Sequence, residues 1–120
     1  MKTWAVVGLG NNPERAAFGV AKLLQDKGHR IIPVYPRAET VHGEVGYKTL
    51  SDITGPVDVV DCFVNSSLVG KVVDQAIAIG AKAVWLQLDV TDDDAIARAQ
   101  AAGLITVMDR CPAIEYRKKS

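Results

Sequence analysis

The chain alternates between short unbroken apolar runs and longer segments whose apolar positions recur every three or four residues. Trp4-Ala5-Val6-Val7-Gly8 is apolar throughout, which predicts a strand over residues 4–8 that is covered on both faces. Over residues 13–27, Ala17, Val20, Ala21 and Leu24 fall on one helical stripe, and Gly28 stops it. Residues 31–34 predict a second strand, ended by Tyr35-Pro36. A polar connection over 37–47 follows, with Gly43 and Gly46 as turn residues. Leu50-Ser51-Asp52-Ile53 reads as a short packed turn, and 57–63 as a third strand broken only by Asp58 and Asp61.

The alternation continues to the end of the chain. A helix is predicted over 67–79 with Val69, Val72, Val73, Ala76 and Ile77 facing inward, and Gly80 ends it. A fourth strand covers 83–88. Thr91 offers an N-cap for a helix over 92–102, and the acidic start Asp92-Asp93-Asp94 suits the positive end of its dipole. Gly103 closes that helix before a fifth strand over 104–108, and Tyr116-Arg117-Lys118-Lys119-Ser120 reads as a polar, mobile end. Apolar strands separated by helices imply an α/β fold. The expectation is one Rossmann-like, doubly wound domain over 1–120, with a five-stranded, mainly parallel sheet and helices on both faces.

Doubly wound folds bind ligands beyond the carboxyl ends of their strands, near the switch in strand order. The segments just past each strand are therefore the candidates. Gly8-Leu9-Gly10-Asn11-Asn12, followed by Pro13 and Arg15, has the character of a phosphate cradle, in which glycine lets backbone amides approach an anion at a helix start. Pro13 suits the first helical turn. Arg15 in that turn is unfavourable unless an anion accompanies it. The pattern is Gly-x-Gly-x-x-Pro, without the third glycine of the dinucleotide fingerprint.

Tyr35-Pro36-Arg37, Phe63-Val64-Asn65, Gln87 with Asp89, and Met108-Asp109-Arg110-Cys111-Pro112 complete the strand-end clusters. An NAD site holds its ribose with a carboxylate at the end of the second strand. Here that place carries no carboxylate, and Arg37 suits a ribose phosphate such as that of NADP or coenzyme A. Asp61, inside a strand where an unpartnered carboxylate is costly, is expected to cap nearby backbone donors, with catalytic use as the alternative. Gln87 has either a ligand amide or a neighbouring backbone group as its partner. Asp109-Arg110 reads as a local ion pair, and Cys111-Pro112 as a turn that docks the tail.

Composition narrows the function class. Of 120 residues, 48% are hydrophobic and 23% charged, as in a soluble globular protein. Fourteen basic and fourteen acidic side chains balance, so nothing in the charge argues for nucleic acid or a membrane surface. The start has no secretion-signal pattern and no run is long enough to span a bilayer, so a cytoplasmic home and a homodimer are the defaults. Cys62 and Cys111 lie too far apart for a metal motif and read as reduced thiols, and His29 and His42 add no metal site. No Gly-x-Ser-x-Gly, His-Glu-x-x-His or Walker lysine occurs, and no histidine lies beside a carboxylate at a strand end. The residues describe a nucleotide-type binding module without catalytic machinery.

Several blocks carry a family resemblance: Val7-Gly8 with Asn12-Pro13-Glu14-Arg15, Ile32-Pro33-Val34-Tyr35-Pro36, Trp85-Leu86-Gln87-Leu88, and Val107-Met108-Asp109-Arg110-Cys111-Pro112-Ala113-Ile114-Glu115. Across nearly its whole length the chain resembles the small single-domain CoA-binding proteins, related to the CoA-binding domain of the succinyl-CoA synthetase α subunit. The resemblance implies non-catalytic binding of coenzyme A or an acyl-CoA. It puts the diphosphate at Gly8, Leu9, Gly10, Asn11 and Asn12 with Arg15 assisting. The adenosine would lie near Val34, Tyr35, Pro36 and Arg37, with Phe63, Val64, Asn65 and Gln87 completing the site. The catalytic phosphohistidine of the synthetase lies on another domain, so ligase chemistry is not implied. Gly10 stands where a serine or aspartate is common, Ala17 where a serine is usual, Val64 where an arginine is common, and Asp89 where a glycine is expected. Two alternatives remain. One is an NADP-linked oxidoreductase fragment or partner, suggested by Gly8-Leu9-Gly10 and Arg37. The other is an interaction protein that keeps the fold without a ligand.

Overall fold

The computed structural model describes residues 2–112. Five strands, β1 (Thr3–Val7), β2 (Arg30–Val34), β3 (Val59–Cys62), β4 (Ala83–Leu86) and β5 (Ile105–Val107), alternate with three helices, α1 (Ala16–Asp26), α2 (Ser66–Ala78) and α3 (Asp93–Ala101). A 3₁₀ turn, Leu50–Asp52, interrupts the long connection between β2 and β3. The strands form one sheet in the order β2-β1-β3-β4-β5, every neighbouring pair parallel. This is a Rossmann-like doubly wound sheet. From β1 the chain passes to β2 on one side and then to β3 on the other, so the strand order reverses between β1 and β3.

The unbroken apolar runs are explained by the two layers they separate. In β1, Trp4 and Val6 pack with Ala17, Val20, Ala21 and Leu24 of α1. Ala5 and Val7 point the other way, into a core with Val69, Val73 and Ala76 of α2 and Ala95 and Ala99 of α3. Strand alternation thus sends every β1 side chain from Trp4 to Val7 into apolar surroundings.

Strands β3, β4 and β5 are shorter than the apolar runs that predict them, and three further features differ from the sequence-based expectation. Helix α1 begins at Ala16, not at residue 13. The Asn12 side chain accepts from the Glu14 amide at 3.0 Å, and the Asn12 carbonyl accepts from the Arg15 amide at 3.1 Å. That local turn consumes residues 12–15 and leaves Pro13 ahead of the helix, with Arg15 as an extended N-cap. At α3 the cap is Asp92, whose Oδ1 accepts from the Ala95 amide at 3.0 Å. Thr91 instead donates its backbone N–H to Ser66 Oγ, which ties α2 to the β4–α3 turn. The connection over 37–47 is not wholly polar. Val41 is fully buried against the α1 layer, and Tyr47 returns to the edge of β2, exchanging backbone bonds with Pro33 and Tyr35. The end expected to be mobile, residues 116–120, lies outside the described residues.

Candidate functional site

A cavity of about 800 Å³ opens beyond the carboxyl ends of β1 and β3, where the strand order reverses. Gly8 creates its floor. Its φ is +99°, and a Cβ there would run into the Phe63 carbonyl. Glycine therefore lets the ends of β1 and β3 meet, with the Gly8 amide donating to Val34 O and the Phe63 amide to Val7 O, each at 2.8 Å. Two helices point their N-termini into the space. Neither the α1 cap, Arg15, nor the α2 cap, Asn65, makes a side-chain capping bond. Arg15, Ala16 and Ala17 line one wall, and Asn65 with Leu68, Lys71 and Val72 of α2 lines the other.

The lining is predominantly apolar, with three cations, Arg15, Lys48 and Lys71, and one carboxylate, Asp89. The ion pairs among the described residues join Lys22 to Asp26, Lys82 to Asp58 and Arg98 to Asp74, so none of the three cavity cations is in one. Uncapped helix starts, free cations and apolar walls together suit an anionic ligand with an extended apolar part.

Nine of the residues expected from sequence converge on this cavity: Gly8, Arg15, Val34, Tyr35, Pro36, Phe63, Val64, Asn65 and Gln87. Five do not line it. Leu9 is fully buried in the α1 layer. Asn11 donates its backbone N–H to Glu39 Oε1 at 3.2 Å and its side-chain amide to Thr40 O at 2.7 Å. Gly10 lies against the same Glu39 carboxylate, Asn12 is engaged in its own turn, and Arg37 is exposed outside the cavity. The glycine turn thus has its partners inside the protein. The end of the second strand carries no carboxylate, as expected, but the fold returns Glu39 to the glycine turn from five residues beyond β2.

Sequence reasoning missed Lys48, Thr49 and Lys71 at the cavity wall, and it named Cys111 in a strand-end cluster without giving it a place in the site. For Lys71 a signal exists: Leu68, Lys71, Val72 and Gln75 form an i, i+3, i+4, i+7 stripe beside the core stripe of α2. Lys48 and Thr49 carry none, since only the return of Tyr47 to β2 brings them there. Cys111 lines the cavity rather than only shaping a turn, and Asp109 accepts from the Asp89 amide at 2.7 Å.

Deeper in the sheet, Asp61 is fully buried and neither carboxyl oxygen has a hydrogen-bond partner, contrary to the expected backbone-capping role. Burial pushes its carboxyl well above the usual carboxylate range; the nearby Cys62 amide pulls the other way without completing a bond of ordinary geometry. Gln87, 6% exposed, also has an unpartnered Oε1. Among the described residues no helix is long and apolar enough to cross a membrane, and no cluster of histidine, cysteine or carboxylate side chains could hold a metal ion.

Comparison with known proteins places this arrangement. The chain matches the CoA binding domain family over residues 2–117. It is 33% identical over 110 residues to YneT of Bacillus subtilis, a protein of uncharacterised role, covering 92% of this chain and 82% of that one. It is 32% identical over 81 residues to the α subunit of the ADP-forming acetate–CoA ligase II of Pyrococcus furiosus, covering 67% of this chain but only 18% of that subunit. The solved structure of a hypothetical protein from Pyrococcus horikoshii superposes with a TM-score of 0.93 at 40% identity, covering 98% of this chain and 82% of that one. With a five-stranded parallel doubly wound sheet, a cavity at its switch point and a family match along nearly its entire length, the chain belongs to the CoA-binding domain family.

Proposed function

We propose that the chain binds coenzyme A or an acyl-CoA and carries out no chemistry on it. The observation that carries this reading is the convergence of two uncapped helix starts and three unpaired cations on one apolar cavity. The diphosphate fits the Ala16 and Ala17 amides at the start of α1, with Arg15 beside it. The Gly8 amide is already given to Val34, so the glycine supplies close approach rather than a donor. The adenosine end would lie along Tyr35 and Pro36, where Lys48 suits its ribose phosphate. The pantetheine arm would follow the apolar wall of Phe63, Val64, Leu68 and Val72 toward Gln87.

Titration calorimetry at low salt tests this. Saturable heat with coenzyme A or acetyl-CoA, and none with NADP, is the expected result. No heat with either up to millimolar ligand would overturn it, and a response to NADP alone would favour the oxidoreductase alternative.

A further inference from the structure

The glycine turn that sequence marks as an anion cradle is filled from within. Glu39 Oε1 accepts the Asn11 amide at 3.2 Å, and a Cβ added to Gly10 would lie 2.8 Å from that same oxygen. The carboxylate therefore stands in the space that glycine leaves free, where a phosphate oxygen would approach the backbone. Its position is held from both sides. On one side Ala38 has φ +50°; on the other, Gly46 packs so closely on the Glu39 carbonyl that no side chain could replace its hydrogen. Further along, buried Val41 and the His42 Nε2–Phe18 O contact of 2.9 Å anchor the loop to α1. Among the described residues no cation pairs with Glu39.

We propose that Glu39 is an internal anion seated on the Gly10–Asn11 turn, and that a diphosphate held at the start of α1 displaces it in order to take up the neighbouring turn amides as well. The inference deepens the CoA-binding reading and rests on it for the ligand. A single carboxylate yields to a multiply charged diphosphate drawn by Arg15 and the start of α1, but not to a neutral molecule or another single carboxylate. Glu39 thereby selects for diphosphates, at a cost in affinity for all of them.

The test is Glu39→Gln, whose side-chain carbonyl can still accept the Asn11 amide while the charge is gone. The expected result is about tenfold tighter binding of coenzyme A, with unchanged affinity for pantetheine, which has no phosphate. Unchanged or weaker coenzyme A binding in the variant would overturn the proposal while leaving the ligand assignment intact. A second measurement does not depend on coenzyme A: the Asn11 amide resonance followed during titration with inorganic pyrophosphate. A shift at lower pyrophosphate in Glu39→Gln than in the parent supports displacement even if coenzyme A fails to bind. Identical titrations would overturn it.

Discussion

Two strand-to-helix turns flank the switch in strand order, and they differ in what fills them. The turn after β1, residues 8–15, carries the glycines and asparagines of a phosphate cradle, yet Glu39, Thr40 and its own Asn12 take up its polar groups. The turn after β3 has no glycine, and its residues Phe63, Val64 and Asn65 all face the cavity. A glycine pattern states which backbone conformations a turn can adopt. Whether its donors are available depends on chain that arrives from elsewhere.

The sharpest way to break this contrast is Gly8→Ala. With φ at +99° and the Phe63 carbonyl in the way, the two turns could not stay in register, and a loss of roughly 2–4 kcal/mol in urea unfolding is expected. An unchanged midpoint would show that the strand ends can separate freely.

The strands feeding the two turns differ too, since Val6 of β1 is paired with Asp61 of β3. Because the folded-state pKa of Asp61 is raised, the folded protein holds a proton that the unfolded chain releases near the ordinary value of 3.8. Stability should therefore fall as pH rises above about 4, by the proton-linkage relation. Asp61→Asn, which cannot titrate, should flatten that slope in urea melts across pH 4–8. Asp58 contributes in the opposite direction: the Thr3 amide, with help from Lys82, lowers its pKa, so its stabilisation is lost as pH falls below 3.8. A parent protein with no loss on the alkaline side would refute the assignment for Asp61.

Affinity gives a smaller effect. Arg15→Ala, beside the filled turn, and Lys71→Ala, beside the open one, should each weaken coenzyme A binding about tenfold without moving the unfolding midpoint. If only Lys71→Ala matters, the diphosphate belongs at the α2 side. The smallest change is expected from Gly10→Ala. The new Cβ crowds the end of the flexible Glu39 side chain and meets the Tyr35 ring at an ordinary 3.5 Å, so the stability cost should stay under about 1 kcal/mol.

Much of the fold was legible because burial writes itself into local patterns. The stripe Ala17, Val20, Ala21 and Leu24 and the runs in β1 and β3 reported the two layers correctly. The start of α1 was not legible, because the choice between helix and turn at Asn12–Arg15 rests on bonds the Asn12 side chain and carbonyl make locally. Of the cavity lining, Arg15, Tyr35, Phe63 and Gln87 followed from inspecting the segments at and just past the strand ends. Lys48 and Glu39 did not, since a long connection of no regular period delivers them.

By itself the sequence determined the order of strands and helices, the faces they bury and the place where the backbone must bend sharply, because apolar spacing and φ preference act over a few residues. Only the tertiary structure decided which polar groups at those bends stay open. The Glu39 and Thr40 acceptors that close the first turn stand 28 and 29 residues from Asn11. Their approach depends on how the β2–β3 connection packs against α1, which no local pattern encodes.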